Sequence, residues 1–182
     1  AGLERWLSDL GRTDVFVFGF TFLVWKNLMA NELRGIDLSG SVLFHGGGWK
    51  RVIEGAVSKE TFRHEIMSRL GISQIRDYYG LVEQLGNIWV EASPGVFVPP
   101  STSYVLIRDP HTFEVVSDGS EGLVQLFSSI PESYPGHSIL TEDIGRRVKN
   151  SHRCDLLGDY GLELRGRLPK AQTRGCSDAV KL

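Results

Sequence analysis

The sequence predicts an α/β fold in which a parallel-type sheet with flanking helices is followed by a small β-barrel-like subdomain. Up to about Ala92, short apolar runs alternate with amphipathic stretches, whereas beyond Ser93 the pattern changes to short β-like runs broken by Gly, Pro and Asp. Strand, helix and strand in succession imply parallel pairing with helices on the sheet faces. Past Ser93 no helical period is sustained, and short strands separated by turns are expected to curl into a small antiparallel, barrel-like sheet. The expected organisation is therefore an α/β subdomain over 1–92 and a β-rich subdomain over 93–182.

In chain order, the run Val15 to Trp25 reads as a buried strand over Val15 to Phe18 leading into a helix. It stops at Lys26, well short of the roughly 20 apolar residues that span a bilayer. Ser41 to Phe44 reads as a second buried strand. Ser58 to Leu70 reads as a helix: Phe62, Ile66 and Leu70 recur every fourth residue, Ser58 can cap the start, and Gly71 can end it in the left-handed conformation. In the second part Tyr104 to Ile107, Phe113 to Val116, Gly122 to Phe127 and Gly161 to Leu164 read as strands, with a turn at Ser117-Asp-Gly119. There is no internal repeat and no low-complexity tract.

Composition narrows the function classes. The chain has 182 residues, 41% of them hydrophobic and 23% charged, which suffices for a buried core. A net charge of -2 provides no general attraction to nucleic acid or anionic membrane, so neither is expected as a partner. The start, Ala1-Gly-Leu-Glu-Arg-Trp6, lacks an initiator Met and the basic-then-apolar order of a signal peptide, and reads as trimmed. Two cysteines, Cys154 and Cys176, do not make a disulfide framework, and a reducing cytoplasm is expected.

Several residues point to chemistry. His45-Gly-Gly-Gly-Trp-Lys50 follows a predicted strand, and Gly46, Gly47 and Gly48 let a backbone approach a flat ligand or a phosphate without a Cβ in the way. A plain strand-to-helix turn is the alternative, and a Walker loop is excluded by the missing Lys-Ser/Thr ending. His137, in Tyr134-Pro-Gly-His137, is a base for a thiol, a lining of the acyl site, or a turn residue bonded to backbone. Cys154 reads as a small buried filler. Cys176 lies in a terminal tail near Arg174 and Lys170, whose charges favour the reactive thiolate.

Three stretches stand in a recognisable order: Asp77-Tyr-Tyr-Gly-Leu-Val-Glu-Gln84, Ser133-Tyr-Pro-Gly-His-Ser-Ile-Leu-Thr-Glu-Asp-Ile-Gly145, and Arg174-Gly-Cys-Ser-Asp178. From about Phe16 to Asp178 this order resembles the acyl-protein synthetases of the LuxE family, within the adenylate-forming ligases. The resemblance implies ATP and Mg²⁺ as cofactors. It also implies a carboxylic, most typically fatty, acid that becomes an acyl adenylate, and transfer of the acyl group to a thiol. Gly46 to Gly48 would lie along the adenine ring. Tyr79-Gly80-Leu-Val-Glu83 resembles the family's Tyr-Gly-x-Thr-Glu motif, with Tyr79 packing on adenine and Glu83 helping to hold Mg²⁺. Mg²⁺ keeps several waters, so one carboxylate plus phosphate oxygens is enough. The motif's Thr is Val82 here.

Thr141-Glu-Asp143 resembles the family's Thr-Gly-Asp, whose aspartate accepts from both ribose hydroxyls, and Gly166-Arg167 resembles the hinge Gly-Arg that reaches the ribose or phosphate. Cys176 matches the cysteine that carries the acyl group as a thioester. The implied partners are an acceptor protein such as an acyl reductase and the missing N-terminal part of the enzyme. No Ser/Thr/Gly-rich loop ending in Lys is present to grip the outer phosphates. The chain is therefore expected to be a C-terminal portion that is inactive alone. Two rivals stay open: an aryl- or acyl-CoA ligase of the phenylacetate type, and a non-catalytic scaffold of the same fold.

Overall fold

The computed structural model describes residues 5, 6, 8, 9, 11, 14–30, 35–49, 55–149 and 159–168. They fall into two compact units, one ending at Asp77 and the other beginning at Tyr78. The change of sequence pattern near Ala92 and this division are separate features. The last described helix ends at Leu70, ahead of both, and the division falls where contacts thin out.

In the first unit, strand β1 (Phe16–Phe20) runs directly into helix α1 (Thr21–Met29). Strand β2 (Val42–Gly46) pairs in parallel with β1, Phe16 opposite Val42 and Phe20 opposite Gly46. Helix α2 (Lys59–Leu70) follows, then strand β3 (Gln74–Tyr79), next to β2 in the strand order. This is the strand and helix alternation expected from the sequence. Ser58 Oγ accepts from Thr61 N at 3.1 Å, and Gly71, at φ 72°, donates its N–H to Met67 O at 3.0 Å, so both ends of α2 are satisfied as predicted. Its buried Phe62, Ile66 and Leu70 pack with Leu28, Leu43, Ile72 and Ile75. Val15 and Val17 lean on that core, and the alternate residues Phe16 and Phe18 are 67% and 60% exposed on the opposite face.

The second unit is antiparallel. It comprises β4 (Trp89–Ser93), β5 (Val96–Val98), β6 (Ser103–Arg108), β7 (Glu121–Ser128), β8 (Ser138–Lys149) and β9 (Tyr160–Arg167). The end of β3 joins them, Tyr78 opposite Val90 and Tyr79 opposite Trp89. The order is β3-β4-β5-β9-β8-β7-β6, with β5 paired to β9 across the long gap in sequence. Trp89, Phe97, Val105, Ile107, Val124, Leu126 and Leu162 form the core. Among the described residues β6 pairs only with β7 along its length, so the sheet stays open and is not closed into the expected barrel.

One expected strand is absent. Asp109 Oδ1 accepts from His111 N at 2.8 Å and Thr112 N at 2.9 Å, Phe113 takes φ 61°, and of Phe113 to Val116 only Val115 makes a bridge, to Arg108. The aspartate side chain offers the backbone a turn in place of a ladder. The turn at Ser117-Asp-Gly119 forms as expected, with Ser120 N on Ser117 O at 3.0 Å and Gly119 at φ 84°. No described helix is long and apolar enough to cross a membrane.

Candidate functional site

In the second unit, Asp143 on β8 receives Tyr79 and Arg167. Tyr79 Oη donates to Asp143 Oδ2 at 2.7 Å, and Arg167 Nε donates to Asp143 Oδ1 at 3.0 Å. Asp143 is 8% exposed, whereas the Arg167 side chain that pairs with it is about a third exposed. A carboxylate offers about four lone-pair positions. Tyr79 and Arg167 each place a donor on a different oxygen of it. Burial, and then the Asp143 carboxylate, push the Tyr79 hydroxyl far above its ordinary value, so it stays protonated and a donor.

Ladder irregularities build this cluster. Between β7 and β8 the register passes from Leu123 opposite Ile144 to Gln125 opposite Leu140, so Thr141-Glu142-Asp143 bulges out beside Val124. Thr141 Oγ1 fills the gap by donating to Val124 O at 2.8 Å and accepting from Asp143 N at 3.1 Å. Between β8 and β9 one further residue is absorbed. Gly145 faces Leu164, yet Ile144 faces Gly166, so Arg165 is extra and Arg167 comes opposite Asp143. A regular ladder would set Gly166 there and turn Arg167 to the other face. Gly145 permits the approach of β9, since a Cβ would stand 2.7 Å from Glu163 O.

Gly80 ends β3, and the turn beyond it carries Glu83, whose side chain is exposed. An exposed carboxylate suits a hydrated Mg²⁺ on nucleotide phosphates. Among the described residues no group of three His, Cys, Asp or Glu gathers to hold a metal unaided. His137 is exposed, and its carbonyl accepts from Ser128 N at 2.9 Å.

Gln84, next to Glu83, escaped the sequence reading. It is 1% exposed, donating Nε2 to Gly136 O at 2.7 Å and Leu126 O at 3.3 Å. Both partners lie more than forty residues away in sequence, so no local pattern announces them.

In the first unit, Gly46 ends β2 and Gly47 takes φ 76°, while Gly48 has open space where a Cβ would be. Thr21 Oγ1 donates to Gly46 O at 3.2 Å and stands 3.0 Å from the buried His45 Nδ1. Its single proton is thereby used, which leaves Nδ1 to donate to Thr21. Lys59 Nζ pairs with Asp77 Oδ2 at 2.9 Å, and His45 Nδ1 lies 4.0 Å from Asp77 Oδ1. The start of the glycine turn is thus held by the buried Thr21 and His45, a contact that the sequence did not flag. Cys176 and Cys154 lie outside the described residues.

The fold has solved counterparts. MatB from Rhodopseudomonas palustris superposes with a TM-score of 0.58 at 16% identity, over 90% of this chain and 33% of that one. The anthranilate CoA ligase AuaEII, solved with anthranoyl-AMP, superposes with a TM-score of 0.56 at 15% identity, over 84% of this chain and 29% of that one. Both place the chain in the adenylate-forming ligase fold. In sequence, phenylacetate-coenzyme A ligase of Aromatoleum evansii is 35% identical over 98 residues, 52% of this chain and 22% of that protein. The model of the acyl-protein synthetase LuxE family matches residues 4–181, and the chain belongs to that family. It spans about a third of the length of the solved structures it resembles.

Proposed function

We propose that the chain supplies the adenosine-binding part of an ATP-dependent ligase that activates a carboxylic acid and passes the acyl group to the Cys176 thiol. The observation that carries this reading is the Tyr79, Asp143 and Arg167 cluster, built on a carboxylate whose two oxygens can each accept more than one donor, as a pair of ribose hydroxyls requires. The Tyr79 and Arg167 bonds orient that carboxylate before a ligand arrives, which lowers the cost of binding. Gly46 to Gly48 give adenine a surface without side chains. Mg²⁺, held by Glu83 and phosphate oxygens, would neutralise charge on the phosphates.

In the first step a substrate carboxylate oxygen bonds to the α-phosphorus and pyrophosphate leaves. In the second the Cys176 thiolate attacks the acyl carbon, the C–S bond forms, and AMP departs with the electrons of the C–O bond. His137 is the candidate to take the thiol proton. The acyl cysteine then delivers its load to an acceptor protein such as a reductase. A fatty acid is the substrate of this reading, in a chain whose family is that of acyl-protein synthetases. The chain also belongs, in this reading, to a longer enzyme whose other part grips the outer phosphates.

The test is Cys176→Ser in the complete polypeptide, incubated with ATP and labelled fatty acids. Acyl-AMP should still form, while stable protein labelling disappears, because a hydroxyl without an activating base is a far poorer nucleophile. Wild-type label should be released by neutral hydroxylamine and map to Arg174–Leu182. Cys154→Ser should keep both steps. Label that persists in Cys176→Ser overturns the assignment. The likeness to phenylacetate-coenzyme A ligase favours a second reading, with coenzyme A as the acceptor. In that case acyl-CoA accumulates and Cys176→Ser changes nothing.

A further inference from the structure

Gln84 sits at the centre of a buried polar network that neither the ribose cluster nor the thiol chemistry uses. Its Oε1 accepts from Asn87 Nδ2 at 2.5 Å, so with the two Nε2 bonds its amide is satisfied at both ends. Asn87 Oδ1 in turn accepts from Trp89 Nε1 at 2.9 Å and Ser103 Oγ at 2.6 Å. Gln84 and Asn87 are each 1% exposed and Trp89 is fully buried, so none of these bonds has water as an easy substitute. A second link runs alongside: Leu85 N donates to Tyr134 Oη at 3.1 Å, and the Tyr134 ring occupies the space a Cβ at Gly136 would need.

The network joins two turns. One carries Glu83 immediately before Gln84, and the other carries His137 immediately after Gly136. Both turns carry exposed residues at their tips, and among the described residues this network is what ties one to the other.

We infer that Gln84 is a positioning residue that locks the Glu83 turn to the Tyr134–His137 turn and to β7, fixing the Glu83 carboxylate where a divalent cation on the nucleotide phosphates can use it. This rests on the proposed role of Glu83. Gln84 touches no ligand and acts through the backbone of the turn. Only an amide suits the place, because two carbonyl oxygens need donors and Asn87 needs an acceptor. Gln84→Glu keeps the volume but points a carboxylate at the carbonyls of Leu126 and Gly136.

The experiment titrates the complete polypeptide with AMP in EDTA and with ATP over a range of MgCl₂ concentrations, following heat of binding. For Gln84→Glu, the Mg²⁺ concentration that half-restores ATP binding should rise about tenfold, as for other residues that orient metal ligands. AMP affinity should change less than about twofold, since Asp143 is untouched. Tyr134→Phe removes only the Leu85 link. It should shift the Mg²⁺ requirement in the same direction by a smaller factor, and it decides the matter if Gln84→Glu does not fold.

Parallel weakening of AMP and Mg²⁺-ATP in these variants would reduce Gln84 to a support of the fold and overturn the inference. So would an unchanged Mg²⁺ requirement beside a clear shift in Glu83→Gln. If Glu83→Gln itself leaves the Mg²⁺ requirement where it was, the role of Glu83 falls first and the inference with it.

Discussion

Helix α2 and strand β8 are each twelve residues long, yet they are held in opposite ways. The helix closes its backbone ladder within itself and at its two caps, and it meets its neighbours through side chains, chiefly the buried Phe62, Ile66 and Leu70 and polar bonds such as Lys59 to Asp77. The strand bonds to β7 on one side and β9 on the other, and it changes register on both sides around Asp143. Damage to the helix is therefore a loss of packing, while damage to the strand is a loss of alignment. The lesson is that the candidate site is stored in register, where small changes displace side chains without unfolding the molecule.

The largest expected effect tests the helix half of that contrast. Ile66 has no exposed surface, and Ile66→Ala should destabilise by about 2–5 kcal/mol. Hydrogen exchange should show the lost protection confined to residues up to Asp77, and equal loss along β8 would break the comparison. Gly145→Ala tests the strand half. Its Cβ would crowd Glu163 O at 2.7 Å and Val124 Cγ2 at 3.0 Å, and overpacking of this kind costs roughly 1–3 kcal/mol. Nucleotide binding should suffer more than stability does, because β9 must shift and carry Arg167 with it. Retained AMP affinity in a destabilised Gly145→Ala would show that the pair does not depend on this approach.

The smallest effect appears only in alkali. The Tyr79 hydroxyl is raised by burial and then by Asp143, so the folded state keeps a proton that the unfolded state sheds above about pH 10. The folded state then binds more protons, so stability falls as pH rises past that point. Tyr79→Phe has no such ionisation, and its urea midpoint should decline less between pH 9 and 11. Parallel declines would mean that Tyr79 titrates normally.

What could be read from sequence follows the same contrast. The limits of α2 were legible because Ser58, Gly71 and the fourfold spacing act within a few residues of one another. Asp143 was singled out by the Thr141-Glu-Asp143 resemblance, but its bonds to Tyr79 and Arg167 were not. Arg167 could be paired with it only in order along the chain, because the bulge that sets the two opposite each other depends on β8 and β9 together. Gln84 was invisible for the same reason. The strand assigned to Phe113–Val116 failed because Asp109, four residues upstream, captured the backbone first.

The extra residue of β9 also gives the Asp143 and Arg167 pair a one-sided tolerance to changes in chain length. Loss of one residue between Gly161 and Gly166 would remove the bulge and continue the pairing that begins at Lys149 and Tyr160, which still brings Arg167 opposite Asp143. Gain of one residue in the same stretch would bring Gly166 opposite Asp143 and send the guanidinium to the other face. Natural length variation in this segment should therefore run toward shortening, and a strand with one residue added should bind nucleotide as poorly as one that has lost its arginine.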